Sequence, residues 1–224
     1  VWLLAGTAGC VDTACFVAFD ELFTAHVTGN FVLAGAALVA DEHGVLQRLA
    51  TLPLFAAVVF VVALLVQHDP LVAPARLPAL LWLEAAALSA LGALAVAGAH
   101  DWAAGLDSPW VLAAAAAGVV AMAVQNTIGR LCLGKTPPTT VMTGNVTALC
   151  TELAARVVSR QPGSPVQRSV AVVLAFTGGA AVGALGTATV GGWLFVLPPL
   201  AIAVAARRVS RSFRRPPDPR LVVS

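Results

Sequence analysis

Ser169–Ala206 reads SVAVVLAFTGGAAVGALGTATVGGWLFVLPPLAIAVAA, 38 residues without a charged side chain. A helix rises about 1.5 Å per residue, so roughly 20 apolar residues cross ~30 Å of hydrocarbon. This stretch is long enough to cross twice, with Gly191-Gly192 as the turn between passes. Water does not solvate such a surface, and lipid does. The stretch therefore assigns the chain to the membrane.

Working outward, similar segments recur. Val1–Phe19 is apolar except for Asp12, and Leu49–Val66 has no charge. Ala79–Ala99 holds one, Glu84, and Val111–Ile128 is uncharged but carries Gln125-Asn126 near its end. Together these give six spans. Backbone groups without partners are costly in hydrocarbon, and the period-two alternation of a barrel is absent, so the spans are expected to be helices. Glu84, near a span start, reads as a side chain that snorkels or pairs. Composition agrees: 59% of the 224 residues are hydrophobic and 11% charged, against about 25% charged in soluble domains. Mean hydropathy is +0.89. The four cysteines, Cys10, Cys15, Cys132 and Cys150, lack metal-ligand spacing and read as small hydrophobes.

Two shorter apolar segments, Thr28–Ala40 and Thr143–Val158, each open on Thr-Gly-Asn. The frame Thr24-x-x-x-Thr28-Gly29-Asn30 returns as Thr139-x-x-x-Thr143-Gly144-Asn145. Asp12 precedes the first, Asn126 takes the corresponding place before the second, and two apolar spans follow each. The order span, motif segment, span, span is thus given twice, which reads as an internal duplication and makes Asn30 and Asn145 equivalent.

Basic residues choose between two topologies. If both motif segments cross, giving eight spans, the inside holds ten Lys or Arg and the outside three. If both are re-entrant, giving six, twelve lie inside and only Arg48 outside. Positive-inside bias favours the second. The expected fold is an all-α polytopic transmembrane bundle of six spans plus two short re-entrant helices, arranged as an inverted repeat. Residues 1–99 form the first half, 100–109 the connecting loop, 110–206 the second half, and 207–224 a basic cytoplasmic tail. The arginines of that tail follow an apolar span directly and fix topology rather than bind nucleic acid.

These same residues carry a resemblance. Gly9-x-x-Asp12-x-x-x-Phe16, Phe23 and Thr28-Gly29-Asn30 resemble the first motif of the YoaK-like bacterial membrane proteins. Gln125-Asn126, Arg130, Thr139-Thr140 and Thr143-Gly144-Asn145 resemble the second. The resemblance implies a bacterial inner-membrane protein with a domain of unknown function. It implies no substrate and no site.

Function must then come from the residues. Asp12 lies mid-span, where a carboxylate normally faces a cavity or a partner. Thr28, Gly29, Asn30, Thr143, Gly144 and Asn145 suit helix starts whose free amides would converge on a central polar or anionic solute. The competing reading is ordinary capping. Gln125 and Asn126 either line the same centre or bridge helices by hydrogen bonds, and His26 is a weaker candidate that titrates near neutral pH. Gly179-x-x-x-Gly183 reads as close helix packing, within the chain or between two copies. No His-Glu-x-x-His, Gly-x-Ser-x-Gly or Walker loop occurs, so neither enzyme activity, cofactor nor metal is expected. The leading expectation is a small-solute permease with Asp12 as coupling group, and the alternative is a membrane scaffold or regulatory protein.

Overall fold

The computed structural model describes residues 1–40, 43–68, 73–134, 136–159 and 166–214. It contains eight α-helices: α1 (Trp2–Ala18), α2 (Gly29–Ala40), α3 (Val45–Gln67), α4 (Ala73–Ala97), α5 (Pro109–Thr127), α6 (Met142–Ser159), α7 (Val166–Val190) and α8 (Leu197–Arg214). Two 3₁₀ stretches, Ala99–Asp107 and Gly191–Val196, join α4 to α5 and α7 to α8, and a π turn, Ile128–Cys132, prolongs α5. No strand occurs among the described residues.

Among the described residues, four helical runs are long and apolar enough to cross a membrane: Val45–Gln67, Ala75–Ala97, Pro109–Cys132 and Gln167–Ser212. The last holds both α7 and α8, as its uncharged length requires. α1 and α2 are apolar but shorter, with 17 and 12 residues. The all-helical, membrane-type character expected from the sequence is therefore observed. Lys135, Arg160, Arg215 and Arg220, which enter the charge count, lie outside the described residues.

Local chemistry sets the helix starts. Ser108 caps α5: its Oγ accepts from the amides of Trp110 and Val111, at 3.2 and 3.3 Å, with Pro109 in the first turn where no amide is needed. Gly44 precedes α3 at φ 85°, a left-handed conformation that glycine adopts without cost.

α1 and α5 form the buried middle of the bundle, whereas α2 and α6 lie at its edge with few buried residues. α1 packs most closely on α7, through glycine. A Cβ on Gly9 would overlap the Phe176 carbonyl, one on Gly179 the Gly6 carbonyl, and one on Gly183 the Cys10 carbonyl. Positions rise together along both helices, so α1 and α7 run parallel. The Gly179–Gly183 face is thus filled by α1 of the same chain. The intrachain reading accounts for the close approach of those glycines.

The ends of the helices sort into two groups. Phe19, just after α1, stacks on Phe195 with centroids 5.6 Å apart and meets Trp102 edge-on at 5.9 Å. Trp102 Nε1 donates to Ala95 O at the end of α4 (3.2 Å), and Gly192 lies against Ala95 and Val96. The C-terminal ends of α1, α4 and α7 therefore gather at one end of the bundle. α3 starts there too, because Arg48 Nη2 donates to Asp20 O (2.8 Å) and Oδ2 (3.0 Å), and Gly44 abuts Leu106. At the opposite end, Gln125 near the close of α5 meets Leu4 near the opening of α1.

Glu84 departs from expectation. It neither snorkels nor pairs: it is fully buried in α4, and neither carboxyl oxygen has a hydrogen-bond partner.

Candidate functional site

The chain leaves α1 and enters α3 at the same end of the bundle, so residues 19–44 must go in and come back. Asp12 explains how. Its Oδ1 accepts from the Thr24 amide (2.7 Å), the Ala25 amide (2.6 Å) and Thr24 Oγ1 (3.3 Å). Asp12 lies seven residues short of Phe19, hence about 10 Å down α1 from the turn. The segment is thus drawn back along the helix until its amides reach a buried carboxylate. Amide donors to an ionised oxygen are among the stronger hydrogen bonds and offset part of the cost of burying the charge. The second oxygen faces His26 Nδ1 at 2.6 Å. The His26 side chain is 38% exposed and that of Asp12 only 4%, so the pair links a half-open ring to a buried acid. Phe176 and Phe23 meet the imidazole edge-on, at 5.6 and 6.2 Å.

Asn30 then locks the returning chain. Its Oδ1 accepts from the Phe23 amide (2.9 Å), and its Nδ2 donates to Phe23 O (2.8 Å) and to Thr51 Oγ1 on α3 (2.9 Å). Only a carboxamide supplies both the acceptor and the donors at once.

The second segment is built on the end of α5. Gln125 Nε2 donates to Thr139 Oγ1 (2.9 Å) and Leu4 O (3.0 Å). Asn126 Oδ1 accepts from Thr140 Oγ1 at 2.6 Å, while its Nδ2 donates to Met122 O. Asn145 Nδ2 donates to Pro138 O at 2.6 Å, again seven residues back. Beside these residues lies a cavity of about 260 Å³, lined by Asn126, Arg130, Thr136, Thr139 and Thr140 together with Gly129, Gly134, Pro138 and Val141. The Arg130 side chain is exposed there, and Thr136 Oγ1 is buried without a partner. Three further cavities, between α4 and α8, along α1, α7 and α8, and between α3 and α5, are walled mainly by apolar side chains.

The predicted site residues thus fall into two groups rather than one. Asp12, His26 and Asn30 belong to the first; Gln125, Asn126 and Asn145 to the second. Leu4, which Gln125 touches, and Asp12 are eight residues apart on α1, about 12 Å along its axis. α2 packs against α3 and α6 against α7, with no extensive packing between α2 and α6 among the described residues. Thr28, Thr143 and Gly144 are exposed at the starts of their helices, and Gly29 sits against the Phe23 ring. In each Thr-Gly-Asn motif, the asparagine is the member that is fully buried. Thr24, Thr51, Thr139 and Thr140 bind the segments down, although sequence reasoning left them out of the site. The identity of Thr24 and Thr139 within the repeated frame was the available signal.

Residues 1–207 match a family described as Protein of unknown function (DUF1275). The chain belongs to the DUF1275 family. That membership agrees with the resemblance to an uncharacterised family drawn from the two motifs. No curated protein and no solved structure matches it.

Proposed function

We propose that this DUF1275 chain is a multi-pass bacterial inner-membrane permease for a small polar or anionic solute. In this reading it is built from two inverted halves, 1–99 and 110–206, each with three spans and one re-entrant segment, and its C-terminus is cytoplasmic. The solute site is the cavity beside Asn126, Arg130, Thr139 and Thr140. Support for the halves comes from helix directions. α1, α4 and α7 run toward the Trp102 end, while α3, α5 and α8 run away from it, so the two halves alternate in opposite senses. Support for sidedness comes from charge: Asp20, Asp101 and Asp107 lie at the Trp102 end, and Arg207, Arg208 and Arg211 lie in the last turns of α8 at the other.

One observation carries the reading. A polar cavity lies where regular helix gives way to a π turn and an irregular segment. Backbone of that kind is tolerated at membrane depth where it is buried in protein or lines a cavity, and it is where transporter sites are found. An arginine and hydroxyls around a small volume suit a solute with acceptor oxygens. Asp12, with one oxygen committed to loop amides, is open to a coupling role only through its second oxygen and His26. The saturation of Asp12 and Asn30 by bonds within the chain favours the second reading, a membrane scaffold without transport.

The test has two arms. Cysteines at positions 101 and 168, introduced singly in a cysteine-free background, should label from opposite faces; labelling from one face removes the inverted six-span arrangement. Stopped-flow light scattering of proteoliposomes against formate, acetate, nitrate, phosphate, urea and glycerol should reveal flux for at least one solute. That flux should be lost in Arg130→Gln. Permeability equal to protein-free vesicles for the whole panel would remove the permease and leave the scaffold.

A further inference from the structure

Glu84 takes no part in either polar cluster, yet it is the most costly side chain in the bundle to keep. It stands eleven residues after the start of α4 and thirteen before its end, about 16 and 20 Å from either terminus. If α4 spans, that is close to the middle of a ~30 Å hydrocarbon layer. The residue is 0% exposed, and both of its oxygens lack partners.

The elements packed on α4 are α3, α5, α8, the π turn and the two 3₁₀ stretches. α5 and Gly191–Val196 have no titratable residue. The π turn brings Arg130, which is exposed, and Cys132. α8 brings Arg207, Arg208 and Arg211, exposed, and Arg214, all in its last turns. Arg48 of α3 is held by Asp20, and His100, Asp101 and Asp107 lie at the Trp102 end. None of these bonds to Glu84.

An ionised carboxylate with no partner at that depth costs several kcal/mol. Even the neutral acid leaves a donor and acceptors unmet, at about 1–3 kcal/mol for each buried group. A nearby acceptor is used by another residue: Ser89, one turn on, donates to Ala85 O at 2.8 Å. A leucine at position 84 would avoid every one of these costs, so the carboxyl is kept for something it binds. A metal cation requires several oxygen ligands, and the neighbouring positions of α4 are alanine and leucine. A single carboxyl suffices only for a proton.

We infer that Glu84 is a reversible proton-binding site at the centre of the bundle, occupied at neutral pH. This rests on the bundle lying in lipid and is independent of whether the protein transports a solute. Full-length protein in lipid nanodiscs is treated with dicyclohexylcarbodiimide, which adds to a protonated carboxyl in an apolar setting to give a stable acylurea. Peptide mass spectrometry should find the adduct on Glu84 at neutral pH, unchanged by added sodium or potassium and declining as pH is raised. Infrared difference spectra should show a carboxylic C=O band that Glu84→Gln removes. That variant should keep the wild-type melting temperature, because it exchanges one neutral group for another. Should Glu84→Gln fail to fold, adduct yield in the wild type and in Glu84→Asp still decides. A carboxylate band at neutral pH, an adduct suppressed by sodium or potassium, or an adduct yield flat to the alkaline limit would each overturn the assignment.

Discussion

Asn30 and Asn145 occupy the same place in their segments, each donating from Nδ2 to the carbonyl seven residues before it. Their surroundings differ first at that residue. Phe23 offers an N–H as well as a carbonyl, and the carboxamide of Asn30 uses both; Pro138 has no N–H to offer. Asn30 also reaches Thr51 on the following helix. A similar contrast holds one step earlier. Asp12 gathers two amides, a hydroxyl and an imidazole, whereas Asn126 takes one hydroxyl. Even the spacing differs: Ala25 lies 13 residues after Asp12, and Thr140 lies 14 after Asn126. The longer interval contains the π turn, and one inserted residue is what a π bulge absorbs. The first segment is the tightly bonded one, and the second is the one left with a polar cavity.

The largest test of that contrast is at its anchors. Asp12→Ala strands the Thr24 and Ala25 amides without an acceptor, and each buried orphan costs about 1–3 kcal/mol. Asn126→Ala strands no backbone amide and gives up one hydroxyl contact and a bond to the Met122 carbonyl of its own helix, at about 1 kcal/mol. Thermal unfolding in one detergent should therefore drop far more for Asp12→Ala, and Asp12→Asn, which keeps an acceptor oxygen, should recover most of the loss. Equal drops for the two alanine variants would dissolve the distinction.

Next come the asparagines. Motif identity predicts that they respond alike; geometry predicts that they do not. Asn30→Asp turns a donor toward Phe23 O into an acceptor and buries a charge, so it should cost about 2–4 kcal/mol. Asn145→Asp loses the bond to Pro138 O and a weak one to Met142 Sδ, and should cost about half as much. Pro138→Ala restores the missing amide, and in that background Asn145→Asp should become more damaging. Were Asn145→Asp the worse of the two from the outset, Pro138 would not be the source of the difference.

Much of this was legible beforehand, and for physical reasons. Uncharged length alone fixed the helices, because lipid admits little else. The repeated frame marked the two segments, and Asp12 stood out as a carboxylate inside an apolar run. Charge counting favoured the re-entrant arrangement that the proposed function adopts. What could not be read was direction and depth. A motif says which residues recur but not that the threonine of Thr-Gly-Asn would point outward while the asparagine turned in. Nor does spacing reveal that the two segments approach α1 about 12 Å apart instead of meeting. Glu84 was misread because its distance from a span end depends on where the helix starts, and α4 begins at Ala73, six residues before the apolar run Ala79–Ala99.

The glycines refine the comparison further. A Cβ on Gly29 would come within 2.9 Å of the Phe23 ring, whereas on Gly144 its nearest neighbour would be Val141 at 3.7 Å, an ordinary contact. Alanine gains about 0.5–1 kcal/mol over glycine in a helix interior, and less in the first turn where these two glycines lie. Gly144→Ala should then be neutral or stabilising, and Gly29→Ala should lose that gain to displacement of the ring. A melting series of the two single variants and the double reads this directly. Stabilisation by Gly29→Ala would mean that Phe23 is looser than its bonds to Asn30 imply.

The smallest effects belong to the threonines, and they separate fold from function most cleanly. Thr28 and Thr143 are exposed at their helix starts, and the Thr143 contribution to its neighbours is a backbone carbonyl that accepts from Thr147 Oγ1. Replacing either by alanine leaves that backbone in place, so both should stay within about 0.5 kcal/mol of wild type, as surface changes do. Stability then says nothing against a second use. If solute passes along the outer face of these helix starts, the hydroxyls meet it, and flux in proteoliposomes should fall while melting is unmoved. If the motif threonines are relics of a shared capping frame, flux and melting both stay at wild type. A stability loss well above that range in Thr28→Ala alone would show instead that its hydroxyl holds the first segment, which would extend the tightly bonded character of that segment to its surface. The pair is worth measuring together because the contrast between the segments predicts silence at both, and only an unequal response can break it.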